Sequence, residues 1–355
     1  MSFNSIRRIT GSPKGSDPHT VATITDVARL AGVSHQTVSR VMNGVPGVRA
    51  PTKARVDAAI RELGYRPSAV ARALATRKTR TIGVVTTGAT LFGPSSIMLA
   101  FNEAARASGY QVTIASLASG ASGAVVGAID TLLAHNPEAL VLIVADFATL
   151  EAVAGIGIRV PLVTAVSTDR AGFHSVAIDQ FAGARLATRH LIDLGHRDIL
   201  HLTGAHDSVD ASERERGWRR ELGDAGLAVS ESVAGDWTPS CGYRAGTDLV
   251  AAGRLGRTSA TAIFCSNDQM AIGVLHALSD AGIRVPGDVS VVGFDDIPEA
   301  AHLAPPLTTV RQDFADLGER MMAAVVEALA GTHPRIPNAA VPLLVARAST
   351  GPAPS

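Results

Sequence analysis

Residues 23–44 read TITDVARLAGVSHQTVSRVMNG, and residues 48–74 continue VRAPTKARVDAAIRELGYRPSAVARAL. The spacing predicts two short helices joined by a tight turn at Ala31-Gly32-Val33-Ser34, a third helix, and a basic connector. Small Ala31 and flexible Gly32 allow two helices to cross closely, as a helix-turn-helix requires. Thr23 with Asp26 three residues on has the form of a capping box ahead of Val27, Leu30 and Ala31. Ser34 suits the N-cap of the second helix, whose Val38, Val41 and Met42 form an apolar face. Its other face carries His35, Gln36, Ser39 and Arg40, all hydrogen-bonding and none required by a core. Such a helix is built to enter a DNA major groove. Arg40 and Gln36 are the expected base readers with His35 beside them, while Thr23, Ser34, Ser39 and Asn43 hold the phosphate backbone.

Charge points the same way. The chain as a whole is neutral, but residues 1–80 hold 14 Lys+Arg against 4 Asp+Glu, and the remainder holds 18 against 28. A head of net +10 is an electrostatic footprint for phosphates, and a body of net −10 is not. Within the connector, Ser68 caps a segment, Ala69 to Ala75, too short to be a stable helix alone. It is expected to fold on DNA, with Ala71 at the contact and Leu74 wedging into a minor-groove step.

Beyond Thr81, short apolar runs alternate with helical patterns: IGVV at 82–85, QVTIAS at 111–116, ALVLIV at 139–144, PLVTAV at 161–166, SVAI at 175–178, DILHL at 198–202, TAIFC at 261–265 and VSVVGF at 289–294. Strands alternating with helices mean parallel sheets covered on both faces, the doubly wound α/β arrangement. Eight strands over this length suit two lobes better than one sheet. The ends of such strands bind ligands. Polar groups there are Asn267, Asp295 and the Asp207-Ser208 region, with Arg214 on the following helix. Trp237 and Phe314 supply flat walls for a ring.

Gly235-Asp236-Trp237, Ser266 to Met270 (SNDQM), Val291 to Asp296 (VVGFDD) and Pro305 to Phe314 (PPLTTVRQDF), taken in order with the helix-turn-helix, resemble the LacI/GalR family of bacterial transcriptional regulators. The resemblance spans roughly residues 22–350. It implies a two-lobed, periplasmic-binding-protein-like core in which the chain crosses between lobes near Asp179, Thr309 and Val341. The implied organisation is an extension at 1–21, a DNA-binding head at 22–67, a hinge at 68–80, and a core at 81–350. Within the core, one lobe takes about 81–179 and 310–341, the other about 180–309 and 342–350. The effector pocket it implies comprises Leu91, Pro94, Ser208, Asp210, Arg214, Trp237, Asn267, Gln269, Asp295 and Phe314. Ser119 and Ala165 stand where a galactoside-binding member carries an Arg and an Asp, and Asp210 replaces a serine. A simple galactoside is therefore not the expected effector.

The partners implied are a palindromic double-stranded operator, a sugar or sugar derivative, and a second copy of the chain in a two-fold dimer. The ending Ala348 to Ser355 leaves no leucine heptad, so a dimer is expected rather than a tetramer. No apolar run reaches the length of a bilayer span, and the polar N-terminus lacks a signal core, so a cytoplasmic location is expected. Two cysteines, Cys241 and Cys265, make no disulfide framework. His190, His196, His201 and His206 fit no single helix face, so no metal is expected. There is no P-loop, no Gly-x-Ser-x-Gly elbow and no complete dinucleotide fingerprint, so neither a cofactor nor catalysis is expected. The main expectation is a ligand-responsive repressor. The alternatives are an activator, or a cytoplasmic small-molecule-binding protein with a vestigial head.

Overall fold

The computed structural model describes residues 22–66, 78–88, 90–117, 122–144, 146–166, 173–332 and 339–354. The chain divides into two compact units, residues 1–79 and 80–355. Ser68, Ala71 and Leu74 of the connector, and Ser119, lie outside the described residues.

The first unit contains helices α1 (Ile24–Ala31), α2 (His35–Met42) and α3 (Ala50–Glu62). Both arms of the capping box on α1 form: Thr23 Oγ1 accepts from the Asp26 amide, and the Asp26 carboxylate accepts from the Thr23 amide at 3.0 Å. Gly32 ends α1 in the left-handed region (φ +61°), where a side chain would be strained. Ser34 caps α2 through the Thr37 amide. The core is Val27, Ala28, Ala31, Val38, Val41, Val56 and Ala59. Leu30 does not join it. That side chain is 46 % exposed, and the residues α1 buries are Val27, Ala28 and Ala31.

The second unit is built on two parallel sheets. The first has the order β2-β1-β3-β4-β5, from β1 (Thr81–Thr87), β2 (Gln111–Leu117), β3 (Ala139–Ile143), β4 (Leu162–Thr164) and β5 (His174–Ser175). Strand parity explains how both faces are buried. Ile82 and Val84 of β1, with Val141 of β3, meet one apolar cluster, which includes Phe101 of α4 (Phe92–Ala107) and Met321 of α11 (Phe314–Leu329). Val85, Leu140 and Leu142 meet the opposite cluster with Ile129 of α5 (Ser122–Leu133) and Leu150 of α6 (Phe147–Ala154).

The second sheet has the order β6-β7-β8, from β6 (Ile199–Leu202), β7 (Ala262–Cys265) and β8 (Ser290–Val292). Leu200, Ile263 and Val291 pack with Val274 of α10 (Asp268–Asp280) and Leu249 of α9 (Pro239–Ala251). On the other face, Phe264 and Val292 pack with Leu191 of α7 (Gln180–Asp193) and Trp218 of α8 (Val209–Asp224).

The chain passes between the sheets three times. The Asp179 amide donates to the Ala340 carbonyl at 3.0 Å, and Ile178 bridges Ala340. β9 (Thr309–Arg311) bridges from Asp295 and leads to α11, which packs on α4 in the first lobe. β10 (Leu343–Val345) then returns antiparallel to β9. Neither strand stands out in the apolar pattern, since β9 ends in exposed Arg311 and β10 is exposed or half-buried throughout.

Candidate functional site

On α2, Val38 and Val41 are buried, while His35, Gln36, Arg40 and the capping Asn43 are exposed and Ser39 is half-buried. Thr23 and Ser34 are themselves the N-caps of α1 and α2, so their hydroxyls already serve the helix ends. Asn43 Nδ2 donates to Ser39 Oγ at 3.3 Å. Arg40 Nη2 donates to the Pro46 carbonyl at 3.1 Å, which holds the side chain beside the loop after α2 and leaves its other donors outward. The result is a short, outward-facing row of donors and acceptors at the start of α2, backed by a hydrophobic face. This is the geometry of a helix that can lie in a groove.

The second unit holds a cavity of about 750 Å³, its open mouth included, between the carboxyl ends of the two sheets. Nine of the ten anticipated ligand residues line it: Leu91, Pro94, Ser208, Asp210, Arg214, Trp237, Asn267, Asp295 and Phe314. Gln269 is not among the lining residues. It lies in the first turn of α10, with its side chain turned to Asn267 Nδ2 at 3.5 Å. At the rim the lobes touch through the Asp146–Ser208 bridge and the Phe147 amide, which donates to the Asp207 carbonyl at 3.1 Å.

Arg214 organises the polar wall. Its Nε donates to Gln180 Oε1 at 2.9 Å and its Nη1 to the Ser266 carbonyl. Nη2 stands 3.9 Å from Asp295 Oδ1. The guanidinium lies over the Phe294 ring, 3.9 Å from its centroid, and 5.4 Å from that of Trp237. Gln180 Nε2 donates to Gln312 Oε1 at 2.9 Å, and Gln312 Nε2 to Asp295 Oδ1 at 2.6 Å. Gln180 and Gln312 thus join Arg214 to Asp295 across two of the crossings between lobes. Neither glutamine was anticipated from the sequence, since each is an ordinary polar residue whose partner is far away in the chain. Asn267 caps α10, accepting from the Met270 amide at 2.9 Å and donating to the Trp237 carbonyl at 3.0 Å. Ser208 likewise caps α8 through the Ala211 amide. For both residues the capping role and a place on the cavity wall coexist.

Backbone strain gathers here. Trp237 has φ +73° and Asp295 φ +118°, regions costly for side-chain-bearing residues. Trp237 is admitted because Gly204 faces the ring: a methyl there would lie under 3.0 Å from the indole. Burial pushes the Asp295 carboxyl up to about 6, against the opposing pull of Arg214 and Gln312. Burial, then the Asp295 charge, raises Asp268 to about 8 although it accepts from Thr309 Oγ1 at 2.6 Å and the Ile297 amide at 2.9 Å. Burial also raises Asp210, against the pull of Arg214. Neighbouring Asp296, also largely covered, is instead paired with Arg311 and Arg347, each at 2.6 Å.

The histidines fill structural places. His201 lies flat between Trp218 and Phe264, with ring centroids 5.2 and 4.7 Å away, and burial depresses its pKa to about 4. His196 bonds Thr261, Ser290 and the Gly351 carbonyl, and His190 bonds Thr350. Among the described residues no group of three His, Cys, Asp or Glu is placed to hold a metal ion, and no helix is long and apolar enough to cross a membrane.

Residues 23–68 match the model of the bacterial regulatory proteins of the lacI family, and residues 188–350 match the periplasmic binding protein-like domain. The chain is 36 % identical to the lactose operon repressor of Escherichia coli K12, over 84 % of this chain and 82 % of that protein. It is 34 % identical to the ribose operon repressor of the same strain, over 93 % and 100 %. In structure it is similar to the lac repressor dimer bound to operator and the anti-inducer ONPF, with a TM-score of 0.86 at 33 % identity, covering 94 % of this chain and all of that one. It is also similar to the transcriptional regulator CelR in complex with cellobiose, with a TM-score of 0.67 at 31 % identity, over 92 % and 99 %.

Proposed function

This chain belongs to the lacI family of bacterial regulatory proteins, and from that premise we propose that it is a cytoplasmic repressor whose hold on a palindromic operator is switched by a small sugar-like effector. The observation that carries the effector half is the convergence of Arg214, Asp295, Asn267 and Gln180 on one cavity between two parallel sheets. These groups supply paired donors and acceptors of the kind vicinal hydroxyls require. Support for the DNA half comes from the exposed His35, Gln36 and Arg40 at the start of a capped helix on a basic head.

Gln36 and Arg40 read base edges, with His35 beside them. Thr23, Ser34, Ser39 and Asn43 position the backbone, and Ala71 and Leu74 of the connector contact the minor groove. The head comprises residues 22–67, the hinge 68–80 and the core 81–350. Two copies act together on the two half-sites of the operator, as in the lac repressor dimer on its operator. The effector binds between the lobes and favours one arrangement of them over another, so DNA and effector must alter each other's affinity by the same factor.

The test uses the full chain with duplexes selected from a random pool by repeated binding. A ligand found by thermal shift against sugars should change affinity for the selected duplex about 5–150-fold. Arg214→Ala should remove that response and leave ligand-free DNA binding near normal. A variant that still responds as the wild type does would overturn the assignment of the cavity.

A further inference from the structure

Backbone spans the rim of the cavity. Asp146 of the first lobe and Ser208 of the second pair as an isolated antiparallel bridge, and the Phe147 amide donates across it to the Asp207 carbonyl at 3.1 Å. Ser208 also lines the cavity, so this seam borders the space beneath it. The three crossings join the same lobes covalently. The seam joins them by hydrogen bonding, which can be broken and remade.

The sequence prepares the seam from both sides. Asp146 is the N-cap of α6 and Phe147 its first helical residue, where an amide has no acceptor within its own helix. The Asp146 carboxylate is taken by the Thr149 amide at 2.7 Å, and the Phe147 amide finds its acceptor in the other lobe. Ser208 is in turn the N-cap of α8. Two helix N-termini therefore meet at the seam, and these like dipole ends oppose closure. The Asp146 carboxylate and that of Asp210, in the first turn of α8, offset the opposition. What remains is finely balanced: loss of one backbone hydrogen bond shifts an equilibrium about threefold to tenfold.

We propose that the pairing of 146–147 with 207–208 is a latch on the motion of the lobes: it holds them together over the cavity, and it parts for a ligand to enter or leave. The latch is the Phe147 amide and not the phenyl ring, which is 48 % exposed. It acts on any ligand of the cavity, sugar or not.

Phe147→Pro removes the donor and leaves the helix start intact. Proline suits the first helical position, and Asp146 already has the extended backbone (φ −105°, ψ 141°) that a following proline requires. Phe147→Ala removes the ring and keeps the donor. Pulsed dipolar spectroscopy on the full chain, without added ligand, reads the lobe separation between spin labels at Ala154→Cys of α6 and Arg220→Cys of α8. The background is Cys241→Ser, Cys265 being buried, and the labelled chain is diluted with unlabelled protein. Phe147→Pro should raise the ratio of long to short distances about threefold to tenfold, and Phe147→Ala should match the parent. Hydrogen exchange of the unsubstituted chain, resolved to single amides, should show Phe147 exchanging at least about threefold more slowly than an unstructured amide. That second measurement stands even if Phe147→Pro fails to fold. An unchanged distance distribution in Phe147→Pro, an equal change in Phe147→Ala, or an unprotected Phe147 amide would overturn the proposal.

Discussion

Gly204→Ala should damage the cavity by evicting Trp237. A methyl on Gly204 would stand under 3.0 Å from Cζ2, Cη2 and Cε2 of the indole, closer than real side-chain carbons approach. The ring cannot step back freely. Its backbone is held at φ +73°, its carbonyl accepts from Asn267 Nδ2, and it packs on the core of the second lobe. Overpacking of this kind costs about 1–3 kcal/mol, which lowers the core's melting midpoint by roughly 3–10 °C. Gly204 is not among the positive-φ residues, so alanine is compatible with its backbone. In a Trp237→Ala background the same substitution should therefore be neutral, or stabilising by about 0.4–1 kcal/mol. Thermal denaturation of the wild type, both single variants and the double variant closes the cycle. An equal cost of Gly204→Ala in both backgrounds would refute the reasoning, since the indole would then not be what the methyl meets. Ligand titration of Gly204→Ala should show weakened binding, with DNA affinity of the ligand-free protein retained.

Arg40→Ala should cost about 1–3 kcal/mol on the selected duplex and little on random DNA, measured by fluorescence anisotropy; equal losses on both would show that Arg40 only contacts phosphates. Thr23→Ala removes one arm of the capping box and should lower the stability of the head by about 0.5–2 kcal/mol, read by hydrogen exchange of the α1 amides; unchanged exchange would mean that packing alone holds that end. The Asp295 carboxyl is raised from its unfolded value near 4 to about 6. Its contribution to stability is therefore full below pH 4 and lost as pH rises through about 6, by roughly 3 kcal/mol at most. Asp295→Asn should flatten the denaturant-unfolding profile across that window, and a profile of unchanged slope would sink the assignment.

Features whose partners lie within a few residues were legible along the chain. Thr23 with Asp26, Ser34 with Thr37, and Gly32 at the end of α1 are local hydrogen-bonding and backbone geometry, readable at three- and four-residue spacing. Most strands of both sheets were legible for a related reason, the exception being β5, which covers His174–Ser175 and shares only Ser175 with the apolar run at 175–178. Ile82 and Val84 face one layer and Val85 the other, and a parallel strand buried on both faces is an unbroken apolar run. Local pattern also misled, at Leu30, where helical spacing grouped it with Val27 and Ala31 but the side chain is exposed.

Pairings across long separations were decided only by tertiary structure. Gln180 and Gln312 are 132 positions apart and meet because two crossings of the chain run side by side. Gln269 carries the same side chain and stands two residues from Asn267, yet it lies outside the cavity lining. The apolar wall at Ile143 and Val166 reads in sequence as strand core. It becomes part of a cavity wall only because the strands end there and a second lobe faces them. Periodicity records which face of an element is apolar. What that face meets depends on loop closure and packing between distant segments, which no local pattern carries.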